Sequence, residues 1–115
     1  MDIFEQKLML YGADVKRALA RFGGDRDIYR ECIRLLIGGD SFQNLKSAVS
    51  EENVNEAFNV AHAMKGAAGN LGLEPMLEAI GEVVEPLRGG EKMPDLSRAI
   101  AEIERQRKQL EGIIG

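Results

Sequence analysis

Residues 54–72 read VNEAFNVAHAMKGAAGNLG, and the way this stretch divides its small residues between two faces decides how the rest of the chain must be built. Val54, Ala57, Ala61, Met64, Ala68 and Leu71 recur at alternating steps of three and four, the seam of a helix packed along a partner. At about 100° per residue, His62 points roughly 130° away from the middle of that seam, so its ring faces solvent. Asn55, Asn59, Gly66 and Gly69 fall within about 60° of the same direction, and Lys65 lies on its edge one turn on. A glycine inside a helix costs about 1 kcal/mol relative to alanine. This helix uses alanine freely on its inner side and sets two glycines beside its histidine, so the spacing implies that something bulky approaches the ring closely.

The pattern is helical on both sides of this segment, with no convincing run of period-two alternation. Phe4, Leu8, Tyr11, Val15, Leu19 and Phe22 keep helical spacing in two short pieces that end at Gly23-Gly24. Asp25 caps a stronger helix with Ile28, Cys32 and Leu35 on one face. Gly38-Gly39-Asp40-Ser41 resembles a stop, but Phe42, Leu45 and Val49 carry on in phase with Leu35, which predicts one bent helix over about 26–49. Ser50-Glu51-Glu52-Asn53 turns the chain into the histidine helix, about 53–71, which ends at Gly72. Pro75 suits a first turn, and Leu73, Met76, Leu77, Ile80, Val83, Val84 and Leu87 give the helix of about 74–88 its apolar face, with Pro86 kinking or ending it. Over about 95–113, Leu96, Ile100, Ile103, Leu110 and Ile114 form a last seam, in which Arg107 holds the skipped position and snorkels. Substantial amphipathic helices joined by short loops predict an all-α fold: an antiparallel up-and-down four-helix bundle with an N-terminal helical extension over about 1–24.

Composition narrows the function classes. The 115 residues suit a single domain, and 44% hydrophobic with 30% charged residues is an ordinary globular balance. A net charge of −4 argues against nucleic acid, which needs a basic footprint, and favours a protein partner. The single Cys32 reads as a packing residue in a reducing compartment. With no signal peptide at MDIFEQKLML and no run of 18 apolar residues, neither secretion nor a membrane span is expected, and the cytoplasm is the default.

The chemistry open to His62 is limited by its neighbours. One histidine without clustered ligands does not make a metal site. No Ser, Thr or Cys lies within helical reach for it to activate as a base. Nucleophilic attack by the ring itself needs only the neutral form of the imidazole and no neighbouring base. A phosphoryl group arriving on the ring would bring negative charge, which Lys65 can offset.

The segment HAMKGAAGNLG resembles the motif of histidine-containing phosphotransfer (HPt) domains, the modules of two-component phosphorelays: His, two residues, Lys, Gly, and a closing Leu-Gly. The segment ALARFGGDRDIYRECIRLL looks like that family's common lead into its second helix, and the resemblance covers essentially the whole chain. It implies that His62 is the phosphoacceptor, that Lys65 stabilises the phosphate and that Gly66 clears space for the partner. Gly69, Asn59 and Asn55 extend the partner-binding patch from the helical wheel. It also implies a phosphocarrier without kinase activity or a cofactor of its own, commonly monomeric, that exchanges phosphate with a hybrid sensor kinase and the receiver domain of a response regulator, the receiver supplying the aspartate and the Mg²⁺. Many members place a glutamine on the neighbouring helix, yet residues 71–105 hold neither Gln nor Asn, which leaves Glu78, Glu82, Glu85 or water to orient the ring. Two alternatives stand beside this reading: a docking module that is never phosphorylated, and the phosphoacceptor module of a chemotaxis-type kinase. The Met1 start and the lack of a linker tail suggest a free-standing protein or a cleanly bounded domain.

Overall fold

The computed structural model describes residues 2–114, which form α1 (Ile3–Tyr11), α2 (Val15–Arg21), α3 (Arg26–Gly38), α4 (Ser41–Ser50), α5 (Val54–Asn70), α6 (Glu74–Leu87) and α7 (Ser97–Ile114), with no strand among the described residues. Side-chain caps fix several starts. Asp2 accepts from Glu5 N (2.8 Å), Asp14 from Arg17 N (3.2 Å), Asp25 from Ile28 N (3.1 Å) and Asn53 from Glu56 N (3.1 Å). Each cap stabilises its helix by about 1 kcal/mol.

Helix α4 packs on α5, α5 on α6 and α6 on α7, while α3 touches both α7 and α5. The seam of α5 is almost all alanine, with Ala57, Ala61 and Ala68 fully buried beside Met64, so its neighbours approach closely. Larger side chains on α6, among them Met76, Ile80 and Val83, fill the space this leaves. Burying one such side chain contributes about 1.5–3 kcal/mol. Helices α5 and α6 run antiparallel, since Leu77 lies beside Gly69 near the connecting turn and Arg88 lies over Phe58 at the far end. On α7, Ile103, Leu110 and Ile114 are buried together with Gln106. Arg107 is half-buried, lies 5.4 Å from the Phe42 ring centroid and pairs with Glu104 and Glu111. Lys46 reaches the same Glu104 at 2.8 Å and ties α4 to α7.

Two expectations are corrected. The single bent helix over 26–49 is interrupted: Gly39 is extended (φ −85°, ψ −174°), and a Cβ there would sit 2.8 Å from the Leu35 carbonyl oxygen. The break also resets the phase. Ile33, Leu36 and Ile37 face the core before it, and Phe42, Leu45 and Ala48 after it. From Ile37 to Phe42 an unbroken helix would turn about 140° too far to keep both inside. The face predicted for α3 is also displaced by one residue: Ile28 and Leu35 are 51% and 66% exposed, Cys32 is half-buried, and Tyr29 is fully buried. Tyr29 decides this rotation, because its hydroxyl donates to Leu71 O (2.8 Å) and its ring packs against Phe4 and Phe22.

The amino-terminal helices are fastened to the end of α5. There Gly72 adopts φ +67° and closes a Schellman turn, with Gly72 N donating to Gly69 O and Leu73 N to Ala68 O. Arg21 donates to Gly69 O (3.2 Å) and Asn70 O (2.9 Å), Tyr29 to Leu71 O, and Asp14 N to Gly72 O (2.8 Å). Glu5, buried on α1, accepts from Arg26 at the start of α3. No helix among the described residues is long and apolar enough to cross a membrane.

A Cβ at position 72 would lie 2.6 Å from Asp14 O in addition to its left-handed φ. Gly72→Ala should therefore destabilise the protein by roughly 2–4 kcal/mol in a denaturant titration. A loss below about 1 kcal/mol would show that the α2–α5 junction is looser than its geometry. Acid should act through Glu102, whose carboxyl is lowered from 4.5 to about 2 by hydrogen bonds first from Arg105 and then from Gln106. The folded chain keeps this group charged where the unfolded chain protonates it, so its contribution is present above about 4.5 and is lost as pH falls toward about 2. The melting temperature should drop across that window, and less steeply in Glu102→Gln.

Candidate functional site

Helix α5 carries His62 on the face opposite its alanine seam, and the imidazole is exposed. Phe58, one turn earlier and half-buried, stacks on it with ring centroids 5.5 Å apart and planes 26° from parallel. The Arg88 guanidinium at the end of α6 lies 5.4 Å from the Phe58 ring centroid and holds that ring from the neighbouring helix. Arg88 in turn is bonded to Glu85 through both carboxylate oxygens, at 3.2 and 3.3 Å. The imidazole is thus oriented by an aromatic face, a contact worth about 0.5–1.5 kcal/mol beyond its buried area. Among the described residues no side chain hydrogen-bonds to the ring.

Beside the histidine opens a shallow cleft of about 350 Å³, lined by Arg21, His62, Lys65, Gly66, Gly69, Asn70 and Leu77. The two glycines set its depth. A Cβ on Gly66 would meet nothing within 4 Å, and one on Gly69 would meet only Leu77 Cδ1 at 3.8 Å. No internal contact requires either residue to be glycine, so the space they leave belongs to the outside of the protein. The lining carries two cations, Arg21 and Lys65, and no carboxylate. Such a surface exposes a nucleophilic ring and favours an incoming anion. A larger cleft of about 600 Å³ between α1 and α2 holds no histidine, cysteine or serine and offers no comparable chemistry. Among the described residues no cluster of three or more His, Cys, Asp or Glu converges as metal ligands would.

The structure gathers His62, Lys65, Gly66 and Gly69 around one cleft but separates Asn55 and Asn59 from it. Asn55 lines a different groove, with Glu51, Glu52 and Gly90, because it lies two turns back toward the start of α5. Asn59 is exposed but does not line the histidine cleft. Helical phase places residues around an axis and says nothing of their distance along it, about 1.5 Å per residue. Glu78 and Glu82 face α7 instead, where they share a groove with Glu102 and Gln106. Glu85 on α6 feels the charge of Lys65, and its carboxyl is held below the usual range first by the Arg88 hydrogen bond and charge, then by Lys65. Phe58, Arg21 and Leu77 were not anticipated. Phe58 is four residues before His62, a spacing that signals contact on a helix surface. Arg21 carries no such signal, since it meets α5 across 48 residues of chain.

If Gly66 serves only an external approach, Gly66→Ala removes an unfavourable helix residue without an internal clash. Its unfolding free energy should rise by up to about 1 kcal/mol, measured by denaturant titration. Destabilisation instead would mean that Gly66 meets a need inside the fold.

Comparison with known proteins agrees with this geometry. The sequence model of the Hpt domain matches residues 38–113, about two thirds of the chain, from the last residue of α3 to the last turn of α7. Neither the curated proteins nor the solved structures yield a match. The matched segment contains the whole histidine helix together with α4, α6 and α7, and on that basis the chain belongs to the Hpt domain family, the phosphotransfer modules of two-component signalling.

Proposed function

We propose that this protein is a phosphocarrier that takes a phosphoryl group onto His62 from the aspartate of a receiver domain, or from a hybrid histidine kinase, and passes it to a response-regulator receiver in a multistep phosphorelay. The reading includes the antiparallel up-and-down four-helix architecture, with α3 and α4 together as one arm and α1–α2 as the extension; the succession of contacts from α4 to α7 supports it. It also places the protein in the cytoplasm as a monomer.

The observation that carries the proposal is an exposed imidazole over a cleft whose glycines serve no internal contact and whose charged lining is cationic. In the forward step the lone pair of the outward ring nitrogen attacks the phosphorus of the acyl phosphate. The bond from phosphorus to the aspartate oxygen breaks, the carboxylate leaves with its electron pair, the other ring nitrogen gives up its proton to solvent, and a phosphoramidate remains on His62. Return to a second receiver reverses each of these changes. Lys65 offsets the charge of the phosphoryl group, Gly66 clears its approach, and Phe58 keeps the ring in one orientation. The receiver contributes the aspartate and its Mg²⁺, so this chain supplies a positioned nucleophile rather than a complete catalytic apparatus.

Incubation with a panel of phosphorylated receivers, or with a hybrid kinase and ATP, should give acid-labile, alkali-stable label that disappears in His62→Gln. Label that persists in that variant would move the acceptor elsewhere, and no label with any of the panel would favour an unphosphorylated docking module.

A further inference from the structure

The segment matched by the family begins at residue 38, yet one wall of the histidine cleft comes from outside it. Arg21 is the last residue of α2, exposed, and lines the cleft together with His62, Lys65 and Leu77. A single nitrogen, Nη1, makes both of its bonds, to Gly69 O (3.2 Å) and Asn70 O (2.9 Å). Those carbonyls form the partly negative end of α5, so the guanidinium is anchored there electrostatically as well as by hydrogen bonds. Its remaining donors have no protein partner among the described residues, and no carboxylate pairs with it. Several other exposed arginines are matched, Arg34 to Glu31, Arg88 to Glu85 and Arg105 to Glu102, while the exposed Arg98 has, like Arg21, no acid partner among the described residues but does not line the histidine cleft. On a protein of net charge −4, an arginine held in place beside the histidine and left without an acid is a recognition charge.

We propose that α2 forms part of the face on which the phosphate-exchanging partner docks, and that Arg21 pairs there with a carboxylate on the partner's acidic surface. The identity of the partner as a receiver rests on the function proposed above. The contact is to the partner's surface and not to the phosphoryl group, because Gly69 lies seven residues from His62, about 10 Å along the helix. Arg21 therefore governs encounter and affinity, while the chemistry at the ring proceeds independently of it.

The test measures transfer from a phosphorylated receiver as a function of receiver concentration, and separately the binding of that receiver to protein in a His62→Gln background, at about 20 mM and about 500 mM salt. Arg21→Gln keeps a donor for the α5 carbonyls and removes the charge; Arg21→Lys keeps the charge. Arg34→Gln removes a charge from α3, away from the cleft. At low salt Arg21→Gln should raise both the half-saturating concentration and the dissociation constant roughly three- to five-fold, with an unchanged plateau rate and a difference that collapses at high salt. Arg21→Lys and Arg34→Gln should stay within about two-fold of the parent. The proposal is overturned if Arg21→Gln binds as the parent does, if Gln and Lys are equally impaired as a lost helix cap would make them, or if the plateau rate alone falls. Arg21-dependent binding without label on His62 would support the docking face and refute the relay, whereas normal label with unaltered affinity in Arg21→Gln would do the reverse.

Discussion

The last turn of α5 presents four successive carbonyls, Gly69 to Gly72, and each accepts a hydrogen bond from the amino-terminal third of the chain: Arg21 to the first two, Tyr29 to the third and the backbone of Asp14 to the fourth. A helix end leaves such groups without intrahelical partners, and the buried one, Leu71 O, would cost about 1–3 kcal/mol if left unpaired. Satisfying them brings α2 and α3 to one particular place on the histidine helix. The rotation of α3 follows from it, since Tyr29 must turn inward to reach Leu71 O. So does the position of Arg21, which the same bonds carry to the cleft. Burial of Tyr29, assisted by the charges of Asp14 and Glu5, pushes its hydroxyl up to about 12, which keeps the donor protonated throughout the ordinary pH range.

The histidine helix itself divides two requirements that conflict on most helices. Close packing inside wants small, helix-favouring residues, and Ala57, Ala61 and Ala68 meet that need. The cleft outside has no side chain to fill it at Gly66, one turn from the ring, or at Gly69, two turns from it, at a cost in helix stability. The inner face is held by the seam, so the outer face can remain open without the helix becoming unstable. Phe58 fixes the ring orientation by stacking where a hydrogen bond from the neighbouring helix could have served. Stacking leaves both ring nitrogens free of protein partners among the described residues, which suits the phosphoacceptor role proposed for His62.

Local pattern alone determined the all-helical character, the inward alanine face, the exposure of His62 and the Gly72 stop, because helical period and capping depend on residues within about one turn of each other. It failed where two answers were equally apolar. Ile28 and Tyr29, or Leu35 and Leu36, offer α3 either of two faces, and only the bond across to Leu71 selects one. It failed at Gly39 as well, where the spacing from Leu35 to Phe42 implied a continuous helix while the burial of Ile37 and Phe42 required a break. The wheel extended the patch to Asn55, seven residues back from His62 and in a different groove, because it records angle and not distance along the axis. Arg21 and the Arg88–Phe58 contact were decided by tertiary structure, for a bond that spans tens of residues leaves no period in the sequence to read.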